Sequence, residues 1–126
     1  MILAGLFYTL VGILFAWPVE HVRAWRLAAW VVSGLAYAAH LGYEHFRLRN
    51  PPRRSALHVA AAVALGALGL AVGANVHSLS VPSTPGHRRL LLIALAAWPA
   101  MTAVPAFLVA LAAATLLGRA RLGIVK

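Results

Sequence analysis

The chain has 126 residues, of which 63% are hydrophobic and 10% charged, and its mean hydropathy is +0.86. A soluble domain of this length needs a mostly polar surface, so the composition excludes an ordinary soluble domain and predicts a protein whose solvent is a lipid bilayer. The net charge of +9 comes from basic residues in the gaps between apolar blocks, which indicates topology signals and headgroup contacts, with no nucleic-acid partner. Because cysteine is absent, disulfides, thiolate metal ligands and thiol nucleophiles are excluded.

Four apolar blocks follow one another along the chain, each about long enough to cross the hydrocarbon core. The predicted helices cover residues 2–17, 27–45, 56–77 and 90–117. Proline-containing segments separate them, and no internal repeat or long linker divides the chain. The sequence therefore predicts a single all-α domain in residues 1–126, a polytopic membrane protein with four transmembrane helices in an antiparallel bundle.

The first and the fourth blocks each need a comment. The first begins almost at Met1, but it lacks a basic leading segment and a small-x-small cleavage site before Pro18, so it is predicted to be a spanning helix and not a signal peptide. The fourth contains Pro99 and Pro105, which predict a kink or hinge. The carbonyls that these prolines free are expected to be bonded by neighbouring groups or by Thr102.

The distribution of basic residues predicts the orientation of the bundle. The second connection and the C-terminal segment together carry seven, Arg47, Arg49, Arg53, Arg54, Arg119, Arg121 and Lys126. The opposite side carries four, Arg23, Arg26, Arg88 and Arg89. By the positive-inside rule both termini are predicted to be cytoplasmic. The arginine-rich composition without organelle-targeting features favours a bacterial inner membrane.

Small residues form a second pattern, and they predict close contacts between helices. Gly5 and Gly12 share a face of the first helix, and Gly66, Gly69 and Gly73 share a face of the third. Such faces let backbones approach closely in lipid, where the hydrophobic effect does not drive helices together. The pattern is compatible with packing inside one chain, with a homo-oligomer and with contacts to other membrane subunits.

The second helix concentrates its polar residues on one stripe, counted in steps of three and four. The stripe consists of Arg26, Trp30, Ser33, Tyr37, His40, Glu44 and Arg47. The chain contains two acids, and a carboxylate within or at the edge of a membrane is a functional hypothesis by default. We therefore expect the stripe to face protein or water, with His40, Glu44 and Tyr37 as candidates for handling a proton or an ion.

A third block that runs antiparallel to the second would bring His58 close to His40 and Glu44. The simplest interpretation of His40 and Glu44, four residues apart, is a hydrogen-bonded pair that Tyr37 or Arg47 completes. A second interpretation is a divalent metal site with His45 at its rim. A third is haem b held between His40 and His58, with glycines of the third helix leaving room for the macrocycle.

Several catalytic motifs are missing from the sequence. It contains no glycine-rich phosphate loop, no His-Glu-x-x-His and no Gly-x-Ser-x-Gly, which argues against hydrolysis and phosphoryl transfer. We therefore expect a non-enzymatic integral membrane protein, either an accessory subunit of a membrane complex or a small oligomeric carrier or channel for protons or ions. The alternative is a haem- or metal-binding redox protein that uses His40 and His58.

Overall fold

A computed structural model describes residues 1–16, 21–80 and 84–123 of the chain. Four α-helices follow in order, α1 Ile2–Ala16, α2 Val22–Gly42, α3 Pro52–Ser80 and α4 Pro85–Gly123, and a π-helical turn, Tyr43–Arg47, extends α2. No strand occurs in these described ranges. The prediction of an all-α chain is therefore confirmed.

Two of the four helices, α3 and α4, are long and apolar enough to cross a membrane by length and composition. Helix α1 is apolar but has only 15 residues, fewer than the roughly 17–25 that a spanning helix needs. Helix α2 has 21 residues and carries Arg23 and Arg26 in its first turns. The structure thus provides two candidate spans.

The starts of α3 and α4 are set by residues that terminate or cap helices. Each begins with a proline, Pro52 and Pro85, which is favoured at a first helical position because the amide proton missing there has no helical partner. Thr84 caps α4, since its hydroxyl oxygen accepts a hydrogen bond from the His87 amide at 3.3 Å. Both helices consequently start before their apolar blocks.

Helices α1 and α3 pack in parallel through their glycines. A Cβ atom at Gly5 would lie 2.7 Å from Cβ of Leu65, and one at Gly12 would lie 2.5 Å from a methyl group of Leu70. In the opposite direction, Gly66 faces Tyr8 at 2.5 Å. These distances leave no room for a side chain, so the backbones can approach only because the residues are glycines.

Helix α4 runs antiparallel to α3 and forms the largest interface in the bundle. Near the C-terminal end of α3, the Asn75 side chain donates hydrogen bonds to the carbonyls of Ala71 at 2.8 Å and Leu91 at 2.9 Å. At the other end a core of small and medium side chains is buried between α2, α3 and α4, namely Leu41, Ala56, Val59, Ala110 and Ala114. The helices therefore alternate in direction, and the start of α1 and the end of α4 lie at the same end of the bundle.

Helix α4 continues through both of its prolines. The carbonyls that lose their helical partners are those of Leu95 and Met101, four residues before each proline. The Thr102 hydroxyl donates instead to the carbonyls of Trp98 at 3.0 Å and Pro99 at 3.1 Å. Thr102 thus does not satisfy the freed carbonyls, because a helical threonine reaches back only to its own third and fourth preceding residues.

Large apolar side chains are exposed on every helix. Leu3 of α1 is 82% exposed, Trp30 of α2 79%, Leu79 of α3 75% and Met101 of α4 69%. A soluble monomer rarely exposes apolar side chains over its whole circumference. An apolar solvent or an apolar partner is needed to cover this surface.

Candidate functional site

The Glu44 carboxylate is the centre of the most polar cluster that the structure describes. Glu44 is only 4% exposed and lies in the π-helical turn that follows α2. Glu44 and His45 are both buried although they are consecutive. A π-helical turn inserts an extra residue into the helix and shifts the side chains that follow it, and such turns are frequent at functional sites.

Three side chains approach the two oxygens of this carboxylate. Nδ1 of His58 lies 3.0 Å from Oε1 and 3.1 Å from Oε2, and Nδ2 of Asn50 donates to Oε2 at 2.5 Å. Nε2 of His40 lies 3.6 Å from Oε1. Because an ionised carboxylate only accepts hydrogen bonds, Nδ1 of His58 must carry the proton in that contact.

The position of Asn50 depends on an unusual backbone conformation at the preceding residue. Arg49 has a φ of 52°, in the left-handed region that commonly terminates helices. This turns the chain back, so the Asn50 amide donates to the Glu44 carbonyl at 3.2 Å while the Asn50 side chain reaches the Glu44 carboxylate. Asn50 was not predicted as a site residue. The sequence feature that could have indicated its role is its position just before Pro51, shortly after the end of the polar stripe.

These partners hold Glu44 in its charged form. Burial by itself would raise the pKa of the Glu44 carboxyl, but the hydrogen bonds from Asn50 and His58, with the nearby imidazoles of His58 and His40, keep its pKa below the ordinary value. The group lies beyond the end of α2, close in sequence to Arg47 and Arg49. An anionic carboxylate shared by two imidazoles can exchange a proton with either ring.

The other predicted residues of this region lie outside the cluster. The Tyr37 hydroxyl donates to the carbonyl of Ala106 at 2.5 Å, and Arg47 is exposed, so neither completes the network around Glu44. His45 is buried, its ring packs edge-to-face on Phe46 at 4.9 Å, and neither of its ring nitrogens has a hydrogen-bond partner within the described ranges. The structure thus joins His40, Glu44 and His58 and leaves Tyr37 and His45 apart.

The geometry bears on the metal and haem interpretations. No group of three or more His, Asp or Glu side chains in the described residues has the arrangement of a metal site. Oε1 of Glu44 contacts both His40 and His58, so the carboxylate occupies the region between the two imidazoles. Gly66 and Gly69, which were expected to leave room for a macrocycle, instead face Tyr8 and Thr9 of α1.

An open cleft of about 720 Å³ is lined by all four helices, and along α2 it lies on the N-terminal side of this cluster. Its walls are mostly apolar, and four members of the polar stripe of α2 line it, Arg26, Trp30, Ser33 and Tyr37. Tyr8 also lines the cleft, and its buried hydroxyl has no hydrogen-bond partner among the described residues. The sequence predicted that the polar stripe of α2 faces protein or water. The periodicity of a single helix, however, could not predict a cleft between four helices.

No protein-family model matches this chain, and no curated protein or solved structure is detectably similar to it.

Proposed function

We propose that this chain is a small, non-enzymatic integral membrane protein that carries protons through Glu44, with His58 and His40 as exchange partners. The observation that carries the proposal is the contact of one buried carboxylate oxygen with two imidazoles, His58 at 3.0 Å and His40 at 3.6 Å. Carboxylates and imidazoles in contact at a membrane face are the groups from which proton relays are built.

The membrane setting rests on two further observations. Helices α3 and α4 are long and apolar enough to span, and large apolar side chains are exposed on all four helices. Formal charges cluster at the two ends of the bundle, with Arg47 and Arg53 at one end and Arg23 and Arg89 at the other. We propose that all four helices cross a bacterial inner membrane, with the Glu44 cluster, the start of α1 and the end of α4 at the cytoplasmic face.

So short a chain is expected to work with other membrane subunits or with further copies of itself. Four of the five glycines on the small-residue faces are used within the chain, since Gly5, Gly12, Gly66 and Gly69 each face an atom of a neighbouring helix. A Cβ atom at Gly73 would meet no atom of the described residues within 4 Å. We propose the face around Gly73 as the contact with a second copy or with another subunit.

Proton carriage can be tested in liposomes that contain an entrapped pH-sensitive dye. A potassium diffusion potential is imposed with valinomycin, and the rate of internal acidification is compared with that of protein-free liposomes. We expect a protein-dependent rate that Glu44→Gln abolishes, because the amide keeps the shape of the side chain but cannot exchange a proton.

His77 supplies a matched control for the histidine partner. His58 and His77 lie on the same helix, but His77 is exposed and lies near the opposite end of it. We expect His58→Gln to slow acidification and His77→Gln to leave it unchanged at equal protein incorporation. A wild-type rate equal to that of empty liposomes, or a Glu44→Gln variant as fast as the wild type, would overturn the proposal.

A further inference from the structure

We infer that the cleft between the helices binds one acyl chain of an anionic lipid, whose headgroup is held by Arg26 at the outer mouth. The inference shares the membrane setting with the proposed function, but it does not use the Glu44 cluster. It rests on the length, the lining and the charge of the cleft.

The cleft has the dimensions of a site for a single hydrocarbon chain. Along α2 its lining extends from Arg26 to Tyr37, and the eleven residue steps between them correspond to about 16 Å of helix. Its volume of about 720 Å³ falls within the roughly 300–1,000 Å³ typical of small-molecule sites. A chain that enters at Arg26 therefore has room to lie along α2 towards Tyr37.

The wall of the cleft is mostly apolar and is formed in part by small residues. Gly66 and Ala67 of α3 contribute to the lining, and glycine and alanine add little side-chain bulk. The Tyr37 hydroxyl donates to the Ala106 carbonyl and so ties α2 to α4 where the lining ends on α2. His40, Glu44 and His58 do not line the cleft, so the cleft suits an apolar chain better than a proton path.

The room inside the cleft is shown most directly at Gly34. Gly34 lines the cleft, and a Cβ built on it meets no atom of the described part of the chain within 4 Å. At Gly5, Gly12 and Gly66, by contrast, a Cβ would collide with a neighbouring helix. Gly34 is therefore a point where an added side chain fills the cleft and not a contact between helices.

The charge at the outer mouth selects the headgroup. Arg26 lines the cleft together with Trp30 and Trp98, which are exposed by 79% and 51%. Arg23 and Arg89 add positive charge at this end, and Glu20, the other acid of the chain, lies outside the described residues. A net positive mouth favours an anionic headgroup over a zwitterionic one.

The test uses native mass spectrometry of the purified protein in a mild detergent. Phosphatidylglycerol and phosphatidylcholine with identical chains are titrated separately, and the dissociation constant of the first bound lipid is measured for each. We expect the wild type to bind phosphatidylglycerol about fivefold more tightly, since one arginine near a membrane surface contributes about 1 kcal/mol towards an anionic lipid.

Two variants distinguish the contribution of the lipid headgroup to binding from that of the acyl chain. Arg26→Gln is expected to weaken phosphatidylglycerol binding to the level of phosphatidylcholine and to leave phosphatidylcholine unchanged. Gly34→Leu is expected to weaken both lipids by about tenfold or more, because the leucine occupies the space of the acyl chain. Ala29→Leu, in the outer half of the lining, provides a second filled cleft if Gly34→Leu fails to fold.

Gly118→Leu is the matched control, because Gly118 is equally free of neighbours among the described residues but does not line the cleft. It should bind both lipids as the wild type does. Unchanged binding in folded Gly34→Leu or Ala29→Leu would place the lipid outside the cleft and overturn the inference. Loss of lipid preference in Gly118→Leu, or its persistence in Arg26→Gln, would overturn the role given to Arg26.

Discussion

At the level of single residues, the Glu44 carboxylate brings together three segments of the chain that differ in structure. His40 comes from the last turn of α2, Asn50 from the connection and His58 from the second turn of α3. A buried carboxylate must find partners or lose its charge. The cluster therefore also ties the connection between α2 and α3 to both helices.

Removing the Asn50 amide should change the acidity of this carboxylate. We expect Asn50→Ala to raise the pKa of Glu44, because a hydrogen bond to the charged form is lost while burial is unchanged. The pKa can be measured by ¹³C NMR of glutamate-labelled protein in detergent, where the chain gives two carboxyl signals, Glu20 and Glu44. Asn75→Ala, which breaks bonds to carbonyls of α3 and α4, should leave the Glu44 signal in place. An unshifted pKa in Asn50→Ala would contradict this account of the cluster.

The same variant should show a pH-dependent loss of stability of about 1.5–3 kcal/mol, as for a hydrogen bond to a charged group. The pKa of folded Glu44 lies below the ordinary value, which is about 4.3. The gap in unfolding free energy between wild type and Asn50→Ala is therefore complete above that pH and shrinks as the pH falls through the lower pKa of the folded state. Thermal unfolding in one detergent across this range measures it, and a gap that widened at low pH would contradict the prediction.

The sequence predicted part of this cluster for physical reasons that can be stated. The spacing of four residues on one helix face predicted that His40 lies close to Glu44. The expected antiparallel direction of the next helix predicted that His58 lies close to both. Asn50 was missed because the left-handed turn before it falls on an arginine, Arg49, and not on the glycine or asparagine that usually signals such a turn.

At the level of the helices, glycine spacing predicted close packing but could not tell which glycines take part. The structure distinguishes Gly66, whose Cβ would meet Tyr8 at 2.5 Å, from Gly73, whose Cβ would meet nothing within 4 Å. The two positions lie two turns apart on α3, and in the sequence each stands between an aliphatic residue and an alanine. Only the register of α1 against α3, which no single-helix pattern contains, makes them different.

Replacing each of these glycines by alanine tests the packing of α1 on α3. Gly66→Ala should destabilise the protein by about 1–3 kcal/mol, because the added methyl group forces two backbones apart. Gly73→Ala should be neutral or stabilising by up to about 1 kcal/mol, since alanine is the better helix former. Thermal unfolding of both variants in the same detergent measures the difference. Equal destabilisation would contradict the α1–α3 register, and stabilisation by Gly66→Ala would exclude it.

At the level of the whole molecule, composition predicted an all-helical chain in an apolar solvent, and the helices follow the apolar blocks closely. Composition could not predict the cleft, because it depends on how α2 is placed against the other three helices. Nor do the helices themselves settle how many of them cross a bilayer, since α3 and α4 alone are long and apolar enough by themselves. The proposal that α1 and α2 cross as well rests on the packing of α1 against both α3 and α2.

Four crossings make a specific prediction about the two ends of α2. The chain contains no cysteine, so single cysteines can be introduced at exposed positions and labelled in intact cells with a membrane-impermeant maleimide. If all four helices cross, His21→Cys and His87→Cys should react from outside, and Arg49→Cys and Arg119→Cys should react only after the cells are opened. Labelling of all four in opened cells controls for reactivity. If only α3 and α4 cross, His21→Cys should instead react only after the cells are opened, as Arg49→Cys does, because α2 would then lie on one side of the membrane.

In that case the Glu44 cluster would remain at a membrane face, but the cleft would no longer be surrounded by lipid. Arg26 would then have no reason to contact a lipid headgroup.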